Sequence, residues 1–286
     1  MRVASARVVG LIGYPLKHSI SPAFQQAAFD YHALPVRYEA WETPPQAVAA
    51  AVDRARRSDC LGMNVTIPHK EVVLAHLDSV DERAAQIGAV NTVVNRDGHL
   101  TGYNTDADGF LRGLRERGHY EPTGKRGVLL GAGGVARAVA LALVWAEAAS
   151  LIIFNRTPGR AEALALAVRD LAPGFRVEAL PCEDHLLRRE LAEADLLVNT
   201  TPIGMRHGPS GTPLPAAFIS ADLMVYDLVY NPPQTQLLLD AARVGARTLN
   251  GLPMLVYQGA AAFELWTGRR APIGLMMKRA DEALRA

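Results

Sequence analysis

With 286 residues, 49% hydrophobic and 21% charged, the chain is long enough for two domains of ordinary size and has the composition of a globular protein. Lys+Arg 30 against Asp+Glu 29 leaves a net charge of +1, so no basic excess argues for nucleic acid or an anionic membrane, although a basic cofactor pocket fits within this balance. The two cysteines, Cys60 and Cys182, fit no metal-ligand spacing and point to a reducing compartment; the apolar run from Ala138 to Phe154, broken by Glu147 and Ser150, is short for a membrane span.

Val8 to Gly13 reads as a short apolar strand, and residues 1–13 lack the apolar core of a secretory signal. Ser21 before Pro22 reads as a helix N-cap with proline in the first helical position. The helix from Ala23 to Tyr31 then carries Phe24, Ala27, Ala28 and Tyr31 on one face. Ser19 and Ser21 flank Ile20 at this helix start, either as a seat for a carboxylate or as a solvated hydroxyl and a cap.

Val36 to Trp41 reads as a second strand and Pro45 to Arg57 as a helix. Gly62 to Lys70 (Gly-Met-Asn-Val-Thr-Ile-Pro-His-Lys) follows as a third strand that should end near Pro68, which has no N–H for a ladder. Alternation sends Asn64 and Thr66 to one side and Val65 and Ile67 to the other. Lys70 falls just past the strand's carboxyl end, where α/β folds place ligands; taken alone, it reads as a solvated lysine. The β-α-β-α-β order of these seventy residues implies a parallel sheet with helices on its faces.

Glu71 to Leu77 and Asp81 to Gln86 are further helical turns. Gly88 to Val94 reads as a strand with Asn91 inside an apolar run, its amide turned to a ligand or to a structural partner. The polar turn Thr101 to Gly109 leads into a helix from Phe110 to Gly118; Asp106, taken alone, reads as a cap. Pro122-Thr123-Gly124 reads as a linker.

A second unit opens with the buried strand Gly127 to Leu130, the turn Gly131-Ala132-Gly133-Gly134-Val135-Ala136, and a helix to about Ala146. This is the dinucleotide fingerprint G-x-G-x-x-A in the strand, turn and helix context it demands, with the helix-start N–H groups facing the pyrophosphate. After the strand Leu151 to Phe154, where a carboxylate would hold the ribose of NAD, stands Asn155-Arg156-Thr157-Pro158-Gly159-Arg160. Two arginines and a hydroxyl suit a 2′-phosphate, and hence NADP, unless both are plain surface charges. Ala194 to Pro202 and Val225 to Pro232 are strands that run into polar loops. Thr235 to Val244 is a helix, Thr248 to Gly251 a short strand and turn, and Met254 to Trp266 an apolar helix whose polar exception is Gln258. Ile273 to Ala286 closes the chain as a helix.

Together these stretches resemble the shikimate dehydrogenase family over nearly the whole chain. The matching segments are Gly13 to Pro22, Asn64 to Lys70, Gly88 to Thr92, Gly102 to Asp106, the turn at Gly131, Asn155 to Thr157, Asn199 to Met205, Tyr226 to Tyr230 and Gly251 to Gln258. The resemblance implies a two-domain α/β fold, with an N-terminal α/β substrate domain and a Rossmann-type NADP-binding domain and an active-site cleft between them. It puts the substrate domain at residues 1–108, joined by C-terminal helices 254–286, and the cofactor domain at 109–253. The implied activity is reversible NADPH-dependent reduction of 3-dehydroshikimate to shikimate in aromatic amino acid (chorismate) biosynthesis. A cytoplasmic monomer or homodimer is implied, with a small-molecule substrate and no metal, membrane or nucleic-acid partner.

Carried over residue by residue, the resemblance makes Lys70 and Asp106 the catalytic pair. Ser19, Ser21 and Tyr230 would hold the substrate carboxylate, and Thr66, Asn91, Asp106 and Gln258 its ring hydroxyls. Gly131, Ala132, Gly133, Gly134, Val135, Asn155, Arg156, Thr157, Arg160, Thr200, Leu228 and Gly251 would touch NADP, with Glu82 as a lesser contact. One departure is Gln25-Gln26, where the family commonly has His-Asn; it puts local packing in question. The chemistry asks for such a pair. Oxidising a secondary alcohol sends the O–H proton to a base as the hydride departs, and a positioned base is worth about 10²- to 10⁴-fold. A quinate/shikimate dehydrogenase with relaxed substrate choice fits the same motifs, although the arginines argue against an NAD-preferring form. A non-catalytic, dehydrogenase-like sensor has no need to keep both Lys70 and Asp106.

Overall fold

The computed structural model describes residues 7–285, which divide into two compact units: residues up to Gly109 together with those from Val256 onward, and Phe110 to Leu255. The first unit begins with β1 (Arg7–Gly13), α1 (Ser21–Tyr31), β2 (Val36–Glu42), α2 (Val48–Ala55) and β3 (Cys60–Val65). It continues with β4 (Ser79–Val80), α3 (Glu82–Ile87), β5 (Thr92–Arg96) and β6 (His99–Tyr103). Its sheet has the order β2-β1-β3-β5-β6-β4. β1 runs parallel to β2 and β3, as the element order predicts, but β5 is antiparallel to both β3 and β6, so the sheet is mixed.

The reversal between β5 and β6 has a local cause. Arg96 pairs with His99 across the two residues Asp97 (φ +53°) and Gly98 (φ +89°), the backbone of a tight hairpin turn. The stretch expected as a polar turn from Thr101 therefore starts as a strand, and α4 (Asp106–Arg112) begins four residues before the expected Phe110. The strand expected from Gly88 begins at Thr92, because Gly88 is the left-handed C-cap of α3. On one face of this sheet Ile12, Met63, Val65 and Val93 pack with Val48, Val52 and Ala55 of α2. Each large aliphatic chain buried this way stabilises the unit by about 1.5–3 kcal/mol.

The second unit holds β7 (Arg126–Leu130), α5 (Gly134–Trp145), β8 (Ser150–Asn155), α6 (Pro158–Leu171), β9 (Arg176–Pro181) and α7 (Asp184–Leu191). β10 (Leu196–Asn199), β11 (Met224–Asp227), α8 (Gln236–Arg243) and β12 (Arg247–Leu249) complete it. All strands are parallel, in the order β12-β11-β10-β7-β8-β9. That is the doubly wound Rossmann arrangement, and the strand order reverses between β7 and β10, the crevice where such sheets bind ligands at their carboxyl ends. Sequence reasoning did not anticipate α6, β9 or α7. Leu187 and Leu191 of α7 and Leu237, Leu238 and Ala241 of α8 share one core with Val128, Leu197 and Val225 of the sheet.

From Val256 onward, α9 (Leu252–Thr267) and then α10 (Ile273–Arg285) belong to the first unit. Trp266 of α9 donates Nε1–H to the Val93 carbonyl (2.9 Å), and its ring lies 6.4 Å from that of Tyr38. Phe29 of α1 meets Phe263 at 5.1 Å between ring centres. The two glutamines that depart from the family pattern serve as ties. Gln25 donates to the Gly259 carbonyl (2.9 Å); Gln26 accepts from the Tyr38 N–H (2.8 Å) and donates to the Val36 carbonyl (3.1 Å). They fasten α1 to α9 and to β2, so the packing there holds with a different pair of side chains. No helix among the described residues is long and apolar enough to cross a membrane.

Candidate active site

β3 stops at Val65, two residues earlier than its apolar pattern suggests, and the alternation stops with it: Ile67 is 70% exposed. The chain then folds tightly, with the His69 N–H bonded to the Thr66 carbonyl (2.9 Å) and the buried His69 ring donating to the Thr43 carbonyl (2.6 Å). The Lys70 carbonyl accepts from the Val90 N–H (2.8 Å). Lys70 is thus anchored on both sides, and its Nζ reaches Asp106 Oδ2 at 2.6 Å. The side chains are 15% and 7% exposed, which sets this pair apart from solvent-screened surface ion pairs.

Asp106 is the first residue of α4, and its own N–H donates to Asn104 Oδ1 (3.0 Å). Both Asp106 carboxylate oxygens are turned to side chains. Oδ2 takes Lys70, and Oδ1 takes the amide of Asn91 (2.8 Å). The Asn91 amide nitrogen also lies 3.3 Å from Gln258 Oε1, and its oxygen accepts from the Thr105 N–H (2.9 Å). Four of the residues named from sequence, Lys70, Asp106, Asn91 and Gln258, form one bonded group. Thr105 and Asn104 were missed as individual residues; their signal was their place in the polar turn just before Asp106.

Ser19 and Ser21 lie together at the start of α1, but the expected cap is reversed. The helix has no side-chain cap from Ser21; instead Ser19 Oγ accepts from the Ser21 N–H (3.4 Å). Ser21 at the first helical position leaves its hydroxyl out of the cap. Thr66 is half-buried at the end of β3, four residues before Lys70. Glu82 is exposed in the first turn of α3, in the first unit rather than the one that carries the glycine turn.

In the second unit the glycine turn has the shape a phosphate needs. Gly131 has φ +106°, and a Cβ there would run into Thr200 Oγ1, itself held on the Leu130 carbonyl (2.7 Å). A Cβ at Gly133 or Gly134 would meet nothing within 4 Å, and no side chain caps the N–H groups at the start of α5. With Ala132 and Val135 half-buried beside them, these groups fit a pyrophosphate.

Beyond β8, Asn155 donates to the Thr157 carbonyl (2.9 Å), closing the turn that exposes Arg156, Thr157 and Arg160. Neither arginine has a carboxylate partner among the described residues. Both stand at the N-terminus of α6, whose first turn carries no acid. A cation there opposes the helix dipole, at a cost of about 0.3–1 kcal/mol that an added anion removes.

At the carboxyl ends of β10 and β11 stands a polar cluster that sequence reasoning only brushed. The buried Asp227 accepts from Asn199 Nδ2 (2.9 Å), from the Thr235 hydroxyl (2.6 Å) and from the Val229 N–H (3.1 Å). Asn199 in turn accepts from the Thr201 N–H (3.0 Å). The loops carrying Thr200, Leu228 and Tyr230 are tied down at the carboxyl ends of β10 and β11. Burial pushes the Asp227 carboxyl above the usual carboxylate range despite its three donors, and it pushes the half-buried Tyr230 phenol up as well. Gly251 lies so close to Leu228 that a Cβ would overlap its carbonyl.

Residues 11–93 match the family model for the shikimate dehydrogenase substrate binding domain, residues 116–203 the one for shikimate / quinate 5-dehydrogenase, and residues 251–280 the one for the shikimate 5′-dehydrogenase C-terminal domain. Shikimate dehydrogenase (NADP(+)) of Moorella thermoacetica is 49% identical over 284 residues, 99% of this chain and 95% of that protein. Its counterpart in Methanopyrus kandleri is 47% identical over 283 residues, 99% of this chain and 97% of that one. The crystal structure of shikimate 5-dehydrogenase from Thermus thermophilus, in complex with NADP(H) and shikimate, matches with a TM-score of 0.86 at 42% identity, covering 97% of this chain and 99% of that chain. Agreement in both units and over almost every residue leaves one assignment: the chain belongs to the shikimate dehydrogenase family.

Proposed function

We propose that the chain catalyses the reversible NADP-dependent interconversion of 3-dehydroshikimate and shikimate, with Lys70 and Asp106 as its catalytic pair. The observation that carries these roles is the 2.6 Å contact between Lys70 Nζ and Asp106 Oδ2, held from the other side by Asn91. NADPH supplies the hydride and NADP accepts it. During reduction the Lys70 ammonium gives a proton to the carbonyl oxygen, and during oxidation its amine takes that proton back. Asp106 orients both the lysine and the reacting hydroxyl. Thr66, Asn91 and Gln258 bind ring hydroxyls, and the hydroxyls of Ser19, Ser21 and Tyr230 serve the carboxylate. The Tyr230 phenol stays a donor at neutral pH, because burial raises it.

On the cofactor side, the N–H groups from Gly131 to Val135 hold the pyrophosphate. Arg156, Arg160 and Thr157, beside Asn155, hold the 2′-phosphate. Thr200, Leu228 and Gly251 shape the remaining wall, and Glu82 is a further contact. In this reading residues 1–108 and 254–286 form the substrate domain and 109–253 the cofactor domain, and the enzyme works in the cytoplasm as a monomer or homodimer. Absorbance at the nicotinamide band tests the activity, with shikimate or quinate and NADP or NAD. Fast NADP reduction with shikimate is expected, and its absence overturns the reading. Equal rates on quinate point to the relaxed form.

A further inference from the structure

A line of buried side chains runs across the first unit's sheet and ends at Asp106. Tyr38 of β2 is in register with Val9 of β1, Asn64 of β3 with Leu11 of β1, and Thr92 of β5 with Asn64, so Tyr38, Asn64 and Thr92 share one face of the sheet. The Tyr38 hydroxyl donates to Asn64 Oδ1 (2.7 Å). Asn64 Nδ2 donates to Thr92 Oγ1 (3.2 Å) and to the Asn91 carbonyl (3.1 Å). The Thr92 hydroxyl donates to Asn91 Oδ1 (3.0 Å), and Asn91 Nδ2 donates to Asp106 Oδ1 (2.8 Å).

Every donor in this line points the same way, toward the carboxylate. The direction is set by the groups themselves. Asn64 spends its amide hydrogens on two acceptors, so its oxygen is what faces Tyr38, and only a protonated phenol can satisfy it. Burial raises the Tyr38 phenol far above its ordinary value, which keeps that proton in place. Aligned bonds polarise one another, so the donor at the Asp106 end is strengthened by those behind it. All five side chains are buried, and each must lose its water to sit there. Val9 and Leu11, on the same face of the strand between Tyr38 and Asn64, show that apolar residues fill this layer without that cost.

We propose that Tyr38, Asn64 and Thr92 are positioning residues of the reaction. Resting on the reading of Lys70 and Asp106 as the catalytic pair, they fix the Asn91 amide so that Asp106 Oδ1 always has its donor and Oδ2 is left for Lys70. Thr92 shares the Asn91 oxygen with the Thr105 N–H (2.9 Å); removing its hydroxyl takes away one of the donors that oppose a turn presenting Oδ1 to the carboxylate, which would repel it.

The test is steady-state kinetics on the full chain with shikimate and NADP. Tyr38→Phe and Thr92→Val each lower kcat by roughly 3- to 10-fold, the worth of about one buried hydrogen bond, while KM for shikimate moves less than about 2-fold. Thr92→Ser, which keeps the hydroxyl, retains kcat. In an Asp106→Asn background, Tyr38→Phe adds no further loss. Unchanged kcat in both Tyr38→Phe and Thr92→Val, or the same loss in Thr92→Ser as in Thr92→Val, overturns the proposal. So does a Tyr38→Phe loss that multiplies undiminished onto Asp106→Asn. If Tyr38→Phe does not fold, the Thr92 pair decides. Near-normal kcat in Asp106→Asn alone is a separate failure, that of the catalytic pair itself.

Discussion

Arg156→Ala separates a phosphate-binding guanidinium from a surface charge. Arg156 is exposed, has no carboxylate partner among the described residues, and sits where the dipole of α6 disfavours a cation. Nothing in the fold is lost with its side chain, so stability stays within about 0.5 kcal/mol of the parent. Any relief at the helix N-terminus is of the same small order. Its loss to the cofactor is larger. A hydrogen bond to a charged group contributes about 1.5–3 kcal/mol, which corresponds to roughly a 10- to 150-fold rise in KM for NADP. NAD carries a hydroxyl where NADP carries the phosphate, so its KM moves less than about 2-fold on the same reasoning. The assay is nicotinamide absorbance with saturating shikimate and each cofactor titrated, beside a thermal melt. Equal rises in both KM values refute the 2′-phosphate assignment, and a large fall in melting temperature shows that Arg156 was structural.

Three further outcomes follow from the same structure. Burial pushes the Cys60 thiol up to about 11, whereas Cys182 is exposed; a thiol reagent at neutral pH labels one cysteine in the native protein and two after unfolding. Gly131→Ala puts a side chain into a positive-φ turn and against Thr200, costing on the order of 1–3 kcal/mol in a denaturant melt and raising KM for NADP. Because Asp227 is raised in the fold, its contribution to stability is full below the ordinary carboxylate pKa and fades as pH rises through the raised value. Asp227→Asn lacks that titration, so the parent's stability gains on the variant's as pH falls through the raised value toward the ordinary carboxylate pKa of about 4; a gap that moves the other way contradicts the assignment.

What was legible in the sequence was what is local. The turn from Gly131 to Ala136 announces itself because strand, glycines and helix are consecutive, and Asn155 to Arg160 follows one strand later. The hairpin at Asp97-Gly98 carried an equally local signal, an Asp-Gly pair between apolar runs; passing over it made a mixed sheet look parallel. Ser21 was taken for a cap because Pro22 follows it, yet the serine that accepts the bond is Ser19, and a one-residue shift of a helix start lies beneath what pattern can resolve. The catalytic pair lay out of reach of spacing. Lys70 and Asp106 are 36 positions apart and Asn91 and Gln258 are 167 apart, so only the family resemblance joined them. Asn91, read as either ligand or structural, is tied to Asp106, Gln258 and Thr105 at once, because its amide has both donors and an acceptor to spend.

The most direct measurement is kcat for shikimate oxidation by Lys70→Ala, with circular dichroism to show that the variant is folded. The account predicts a fall of about 10²- to 10⁴-fold with KM for shikimate little changed, since the proton transfer is lost while hydroxyl and carboxylate contacts stay. Turnover within a few-fold of the parent in a folded Lys70→Ala protein contradicts it.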